Sequence, residues 1–215
     1  MLARFRGNLI HDFLGAYYRF QNCHHFLCNA HLLRELTYLH EQMDQPWAAD
    51  MIELLREAKK LRDRQRALPG GSRRVIGEKT LLRIQMRYCR IVLEGLALNP
   101  EPPPPPKTKR GRVKRSKALN LLIRLDERYE EIMGFFEYEN VPFDNNQAER
   151  DLRMMKTREI ISGTFRSETH ARAFCDIRSI ISSVRKQSRG MIGSLTTLVK
   201  SPETLGNQLA AANQT

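Results

Sequence analysis

The stretch PFDNNQAERDLRMMK, residues 142–156, decides how the fold is interpreted, because it sets one acid among a row of bases. Asn146 and Glu149 have the spacing of a capping box, with asparagine in place of the usual serine or threonine. Glu149 and Arg153 also form an i, i+4 pair that favours a helix. Helix capping therefore explains the acid without any chemistry. The alternative is that Glu149 offers oxygen ligands to Mg²⁺ while neighbouring cations hold a phosphate, namely Arg150, Arg153, Lys156 and Arg158.

The composition indicates a polyanionic partner. The 215 residues include 36 Lys and Arg against 24 Asp and Glu, which gives a formal net charge of +12. DNA or another nucleic acid is the first candidate for such a partner, and an anionic membrane surface is the second. No apolar run approaches the roughly 20 residues of a membrane span, and the N-terminus lacks the pattern of a signal peptide. We therefore predict no membrane-spanning segment.

Cysteine usage indicates a reducing compartment. The four cysteines are too sparse for a disulfide scaffold, and they are Cys23, Cys28, Cys89 and Cys175. The sequence therefore predicts a cytoplasmic protein.

Apolar periodicity predicts a mainly α chain with a small α/β part. Residues 1–30 contain two short apolar runs typical of strands, GNLIHDF and HHFLC, with a helical turn or two, GAYYRF, between them. Residues 31–98 carry apolar positions at helical spacing in three successive helices, the second beginning near a proline. Helical spacing returns over residues 118–190, where GFFEYENVPF and ISGTFRS are predicted connections. Residues 191–215 are predicted to form a C-terminal tail.

A proline-rich basic loop, residues 99–117, separates the helical regions. Its five consecutive prolines favour polyproline II and exclude an α-helix. Seven bases follow, and they are Lys107, Lys109, Arg110, Arg112, Lys114, Arg115 and Lys117. The loop is interpreted either as a segment that lies along DNA phosphates or as a solubilising linker.

Asp12 is a second candidate metal ligand, because it ends the first predicted strand. A strand holds such a carboxylate in place while the following loop leaves it accessible. The alternative is a turn-forming or helix-capping aspartate before GAYYRF. If Asp12 and Glu149 meet in space, shared divalent ions would activate a water or a 3′-hydroxyl and stabilise the leaving oxygen of a phosphoryl transfer. The pair therefore predicts a nuclease or strand-transfer site that uses Mg²⁺ or Mn²⁺.

The segment CHHFLCNAH, which begins at Cys23, carries soft ligands that suggest zinc. The spacing is not that of a zinc finger, and no second Cys/His pair follows at the required distance. On a strand, Cys23 and His25 face one side while Cys28 faces the other. We therefore expect Cys28 and His31 to join strand to helix without metal, and zinc is not the predicted cofactor.

These motifs, in this order, resemble the C-terminal part of a bacterial transposase of the insertion-sequence-sixty-six family. The resemblance is carried by GNLIHDFLGAYYRF, CNAHLLREL, NLLIRL and VPFDNNQAERDLRMMKTREIISGTFRS, and it spans nearly the whole chain. It is most specific in the Asn-Asn-x-x-Glu-Arg segment.

The resemblance implies an Asp-Asp-Glu enzyme with a ribonuclease-H-like core. Asp12 then corresponds to the second catalytic Asp and Glu149 to the catalytic Glu, with the helical block of residues 30–135 as an insertion between them. Cys28 and His31 resemble a Cys-x-x-His signature that follows the second Asp.

The chain departs from the family pattern at its start. Only eleven residues precede Asp12 and none of them is acidic, so the first catalytic Asp and the first core strands have no counterpart. We therefore expect an incomplete ribonuclease-H-like core with uncovered strand edges. Such a truncated chain is expected to be inactive alone, unless a second chain supplies the missing Asp and strands.

Two other function classes stay open. The net charge and the basic loop also fit a non-catalytic DNA-binding or protein-interaction module. The Cys/His segment would fit a zinc-stabilised helical protein, which elemental analysis showing no zinc would exclude.

Replacing the seven bases of the loop by glutamine is expected to reduce the salt dependence of DNA binding. Each cation that contacts a duplex phosphate contributes about 0.9 to the slope of log K against log salt, through counterion release. The measurement is a titration of a labelled duplex at several salt concentrations. An unchanged slope would exclude the loop from the DNA interface.

Overall fold

The part of the chain that the computed structural model describes is mainly helical and covers residues 5–68, 76–103, 113–163, 165, 167–187 and 190–201. Its elements are, in order, β1 (Asn8–His11), a 3-10 helix (Gly15–Arg19), β2 (His24–Leu27), α1 (Asn29–Met43), α2 (Pro46–Arg66), α3 (Glu78–Leu98), α4 (Lys117–Glu127), α5 (Tyr129–Glu137), α6 (Asn146–Ser162), α7 (Glu168–Lys186) and α8 (Met191–Lys200). The predicted mainly α chain with a small α/β part is confirmed.

The chain divides into two units, Met1–Asn145 and Asn146–Thr215. The first unit contains the sheet and α1 to α5, and the second contains α6 to α8. The ribonuclease-H-like core and the domain boundaries drawn from the sequence stay predictions.

The sheet consists of β1 and β2, which pair in parallel with His11 opposite Leu27. Both predicted strands are confirmed, and GAYYRF forms the 3-10 helix between them. The backbone N–H of Cys28 donates to the carbonyl of His11 at 2.8 Å, so pairing continues to the last residue of β1. Because parallel strands end at the same edge, Asp12 and Cys28 follow their strands side by side.

The helices of the first unit bury the apolar positions that their periodicity predicted. Pro46 is the first residue of α2, where a missing backbone N–H breaks no helical hydrogen bond. Among the largest side chains of this core are Trp47, Phe135 and Phe136, and all three are buried.

The predicted connection GFFEYENVPF is wrong in its first part, because α5 extends as far as Glu137, and only the remainder connects two helices. Gly134, Phe135 and Phe136 are buried within the helix rather than in a loop. The helix can lie this close to β2 because Gly134 has no side chain, since a Cβ there would sit 2.2 Å from the ring of Phe26. Packing against a strand distant in sequence therefore extends the helix through a glycine.

The segment between α5 and α6, residues 138–145, is called the connecting segment here, and two arginines of α2 bind its first half. Arg62 is 1% exposed and donates to the carbonyl of Tyr138 at 3.1 Å. Arg66 donates to the carbonyls of Glu139 and Val141 at 2.9 and 3.0 Å. Helix α2 therefore fixes the path that the chain takes towards α6.

In the second unit, Arg158 links α6 to aromatic residues of the following segment. The guanidinium of Arg158 on α6 lies over the rings of Phe165 and Phe174, at 4.0 and 5.6 Å from their centroids. Ser167 caps α7, because its hydroxyl accepts the backbone N–H of His170 at 3.3 Å. Among the helices described in either unit, none combines the length and the apolarity that crossing a bilayer requires.

The substitution Arg62→Met is expected to destabilise the first unit by about 1.5–3 kcal/mol, the range for a lost hydrogen bond to a charged group. Urea unfolding monitored by circular dichroism measures the change. Arg64→Met on the same helix is the matched control, since Arg64 is exposed, and it should change stability by less than about 0.5 kcal/mol. Equal effects of the two substitutions would contradict a specific role for Arg62.

Candidate metal and phosphate site

Asp12 forms a turn directly after β1. One carboxylate oxygen, Oδ1, accepts the backbone N–H of Leu14 at 3.2 Å, which confirms the turn-forming interpretation of this residue. Within the described residues, the other carboxylate oxygen accepts no hydrogen bond, and the side chain is half-buried. The turn therefore orients the carboxylate and leaves one oxygen available for a ligand.

Two histidines lie behind Asp12 and support its backbone. His11 is 2% exposed, and its Nδ1 contacts the carbonyl of Asp12. His11 Nε2 lies 3.0 Å from His25 Nδ1, and His25 Nε2 lies 3.0 Å from the carbonyl of Phe20. The two imidazoles thus bridge the backbone of Asp12 to the loop before β2.

The protons of this histidine pair can be counted from its acceptors. The carbonyls of Asp12 and Phe20 only accept, so each outer ring nitrogen must carry a proton to make its bond. The bond between the rings needs a third proton, and two neutral imidazoles carry only two. Burial lowers the pKa of His11 below its usual value, although its bond to the Asp12 carbonyl opposes this shift. When both rings are neutral, the pair can make two of its three hydrogen bonds at a time.

Aromatic and charged groups enclose the histidine pair. Tyr17 stacks on His11 with 4.8 Å between ring centroids. The hydroxyl of Tyr18 donates to Glu131, and burial together with this bond raises the pKa of Tyr18, so the phenol stays protonated. Arg128 binds Glu131 at 2.7 Å and lies 4.4 Å from the ring centroid of Tyr18. This network holds β1, the 3-10 helix and α5 together behind Asp12.

Sequence reasoning missed His11 as part of the site. The available signal was a histidine inside an apolar strand immediately before a candidate ligand. Its contact with His25 follows from the strand register, in which His25 lies opposite Leu9 and Leu9 shares a face with His11. That register was not known from the sequence.

The end of β2 binds the second half of the connecting segment. Cys28 Sγ accepts the backbone N–H of Asn145 at 3.4 Å, and the backbone N–H of Asn29 donates to the carbonyl of Phe143 at 3.0 Å. The side chain of Asn29, which is 1% exposed, donates to the carbonyl of Ile132 on α5 at 3.0 Å. The chain that leads to α6 is therefore anchored beside the strand ends.

The Cys-x-x-His pair lies at the start of α1, with Cys28 as the residue that precedes the helix. The backbone N–H of His31 donates to the Cys28 carbonyl at 3.1 Å. Cys28 and the other cysteines carry free thiols. A side-chain bond between Cys28 and His31 stays a prediction.

In the second unit, α6 carries Glu149 and the bases that follow it. Asn146 is the first residue of this helix, and Glu149 lies in its first turn. Glu149 is half-buried, whereas Arg150 and Arg153 are exposed. The side chain of Lys156 lies outside the described residues. A carboxylate near a helix N-terminus is favoured by the helix dipole, which is consistent with either interpretation of Glu149.

Three of the seven loop cations lie in the described part of the chain. Lys114 is exposed, Arg115 forms an ion pair with Glu101 at 2.5 Å, and Lys117 lies 4.6 Å from the ring centroid of Tyr38. The other four lie outside the described residues, and they are Lys107, Lys109, Arg110 and Arg112.

Comparison with known proteins identifies the family. No curated protein and no solved structure matches the chain. A family model described as "Transposase IS66 family" matches residues 1–173, which include Asp12, Glu149 and the connecting segment. Because the match covers well over half of the 215 residues, the chain belongs to the IS66 family of transposases.

Proposed function

We propose that the chain forms part of a metal-dependent site for DNA cleavage and strand transfer, with Asp12 and Glu149 as its metal-binding carboxylates. Chain connectivity is the observation that carries the proposal. The backbone N–H of Asn145 is hydrogen-bonded to Cys28 Sγ, and the backbone N–H of Cys28 is hydrogen-bonded to the carbonyl of His11, the residue before Asp12. Glu149 follows Asn145 by four residues, which span only about 6 Å as α-helix. The hydrogen bonds of Cys28 therefore hold the residue that precedes α6 beside the strand that leads to Asp12.

The donor atoms fit a hard divalent cation. Carboxylate oxygens are the ligands that Mg²⁺ and Mn²⁺ prefer, and Asp12 keeps one oxygen outside its turn. When bound, such ions activate the attacking hydroxyl and stabilise the leaving oxygen of an in-line displacement. The part played by this chain is to hold the carboxylates, through the Asp12 turn and through the hydrogen bond that fixes Asn145, the residue before α6.

DNA is the substrate that the charges and the family support. A transposase acts on DNA, and the net charge of +12 favours a polyanion. Arg150 and Arg153 are exposed within one helical turn of Glu149, where they would contact phosphates beside the metal. Arg158 contributes less directly, since its guanidinium is engaged by two aromatic rings. Lys114 and the rest of the basic loop would extend the phosphate contacts.

The proposal includes a third carboxylate. A ribonuclease-H-like core with three acids would need one more Asp and further strands in addition to those of residues 1–215. Two carboxylates alone should bind metal weakly and support little strand transfer. A cytoplasmic location completes the proposal and is supported by the free thiols of all four cysteines.

A non-catalytic DNA-binding module is the second candidate function. The chain has 36 Lys and Arg against 24 Asp and Glu, and this positive charge favours a DNA-binding module. Phosphate contacts alone are enough for DNA binding that does not depend on sequence. Metal-dependent cutting at Asp12 separates the two functions, since a DNA-binding module needs no metal there.

Iron(II) with ascorbate tests the metal site without requiring catalysis. Bound iron generates hydroxyl radicals that cut the backbone close to its ligands. We expect cuts near residue 12 and near residue 149 in the same molecule, and excess Mn²⁺ should suppress both. Glu149→Gln should weaken both cuts, because the two carboxylates share the ion. Any plasmid strand transfer with Mg²⁺ or Mn²⁺ should also be lost in this variant.

Substitutions at Asp12 separate its two roles. Asp12→Asn keeps an oxygen for the Leu14 N–H but removes the charge, so we expect metal-dependent cutting to disappear with stability nearly unchanged. Asp12→Ala should lose the cutting and also about 1 kcal/mol of unfolding free energy, through the broken turn. Asp176→Asn, at an exposed acid of α7, is the control that should change neither. Undiminished cutting in both Asp12→Asn and Glu149→Gln would refute the proposed site.

A further inference from the structure

Helix α3 has two apolar faces. Its inner face packs in the core of the first unit through Ile84, Tyr88, Ile91, Val92 and Gly95. A second row, called the α3 seam here, consists of Leu82, Met86, Cys89 and Leu93, and it ends at Leu96, which packs partly against the core. Leu82, Met86 and Leu93 are 54%, 65% and 66% exposed, and Cys89 is also exposed. A surface helix normally has one apolar stripe and a polar opposite face, so the seam needs an explanation.

The spacing of the seam is that of a helix-pairing interface. Its residues recur at intervals of four, three, four and three, which is the a and d pattern of heptads. Lys79 occupies the preceding a position, where a lysine costs some stability of the pair but helps to fix its register. Singly scattered apolar side chains are normal on a protein surface, but a continuous row in heptad register marks an interaction site.

We propose that the α3 seam binds the same seam of a second copy of this chain, with the two helices parallel. The charges beside the seam favour this arrangement. Glu78 occupies a g position and Arg83 the following e position, so parallel helices bring Glu78 of each copy opposite Arg83 of the other. Gln85 and Arg90 occupy the next g and e positions and can form a hydrogen bond in the same way.

The opposite orientation is disfavoured by the same charges. Antiparallel helices pair e positions with e positions, which would bring Arg83 of one copy towards Arg90 of the other. Like charges in contact reduce affinity and suppress the wrong alignment. Arg83 now binds Glu57 at 2.8 Å, but this pair is on the surface and contributes little, so Arg83 can turn to Glu78 of the second copy.

A second copy is the partner that this surface fits, because parallel pairing is isologous. The same row of apolar residues and the same g and e charges meet themselves across a two-fold axis, and each ion pair occurs twice. The inference concerns α3 alone, so it goes beyond the proposed metal site and does not depend on it.

Sedimentation equilibrium of the full chain tests the assembly. We expect a concentration-dependent dimer for the natural sequence. Met86→Glu with Leu93→Glu should raise the dissociation constant by about a hundredfold or more, because charges would be buried at the seam. Circular dichroism should show unchanged helix content, since both positions are mostly exposed. Leu98→Glu is the matched control, because Leu98 is 61% exposed on the same helix but lies off the seam.

Disulfide trapping tests the orientation. In a chain with Cys89→Ser and Cys175→Ser, Leu82→Cys should oxidise readily to a covalent dimer, because parallel helices bring the two copies of a d position together. Antiparallel helices would separate these thiols. The proposal would be overturned by a monomer at every concentration or by a dimer that the double glutamate variant leaves unchanged. It would also be overturned by a dimer that Leu82→Cys fails to trap.

Discussion

The junction at Cys28 and Asn29 is the constraint on which the arrangement of the first unit depends. Cys28 is hydrogen-bonded to β1 through its backbone N–H and to the connecting segment through its Sγ. Asn29 is hydrogen-bonded to the connecting segment through its backbone N–H and to α5 through its side chain. Asn29 is almost fully buried, so loss of its bonds would leave carbonyls unpaired in the interior. The junction therefore couples the strand that ends at Asp12 to the chain that leads to Glu149.

The helical block gives this junction its support. Arg62 and Arg66 reach from α2 to three carbonyls of the connecting segment, and the buried helical core fixes α2. A loop of eight residues without such bonds would sample many conformations, at a cost of about 1–2 kcal/mol for each residue that had to be ordered. Bonds spread along the segment reduce that freedom before any ligand binds. The helical block thus sets the path of the connecting segment.

The parts of the fold that depend on local chemistry followed from the sequence. Two short apolar runs formed strands, Pro46 began α2, and the helical spacing of the first unit matched its buried residues. The predictions that failed depend on contacts between residues that are distant in sequence. Helix α5 continues through Gly134 because Phe26 packs against the glycine, and no pattern near Gly134 contains that information. Arg62 belongs to a residue type that is usually exposed, so its burial follows only from the position of the connecting segment.

The sequence was enough to predict which residues belong to the candidate site, but not how those residues are arranged in space. Asp12 and Glu149 stand out because an acid follows a strand in one case and lies among bases in the other. The histidine pair behind Asp12 required the register of β1 and β2, and the Cys28–Asn145 bond joins residues far apart in sequence. The sequence therefore identifies the candidate carboxylates, while the contacts around them are known only from the tertiary structure.

The central claim is that Asp12 and Glu149 come together in the folded chain. Its most direct test is a protein with Asp12→Cys and Glu149→Cys, in which the exposed Cys89 and Cys175 are replaced by serine. The folded protein is treated with a short bifunctional maleimide, and the products are mapped by peptide mass spectrometry. The account predicts one intrachain cross-link between positions 12 and 149 that is lost in urea. Two reactive thiols that each take a separate reagent molecule, with no cross-link in the folded protein, would contradict it.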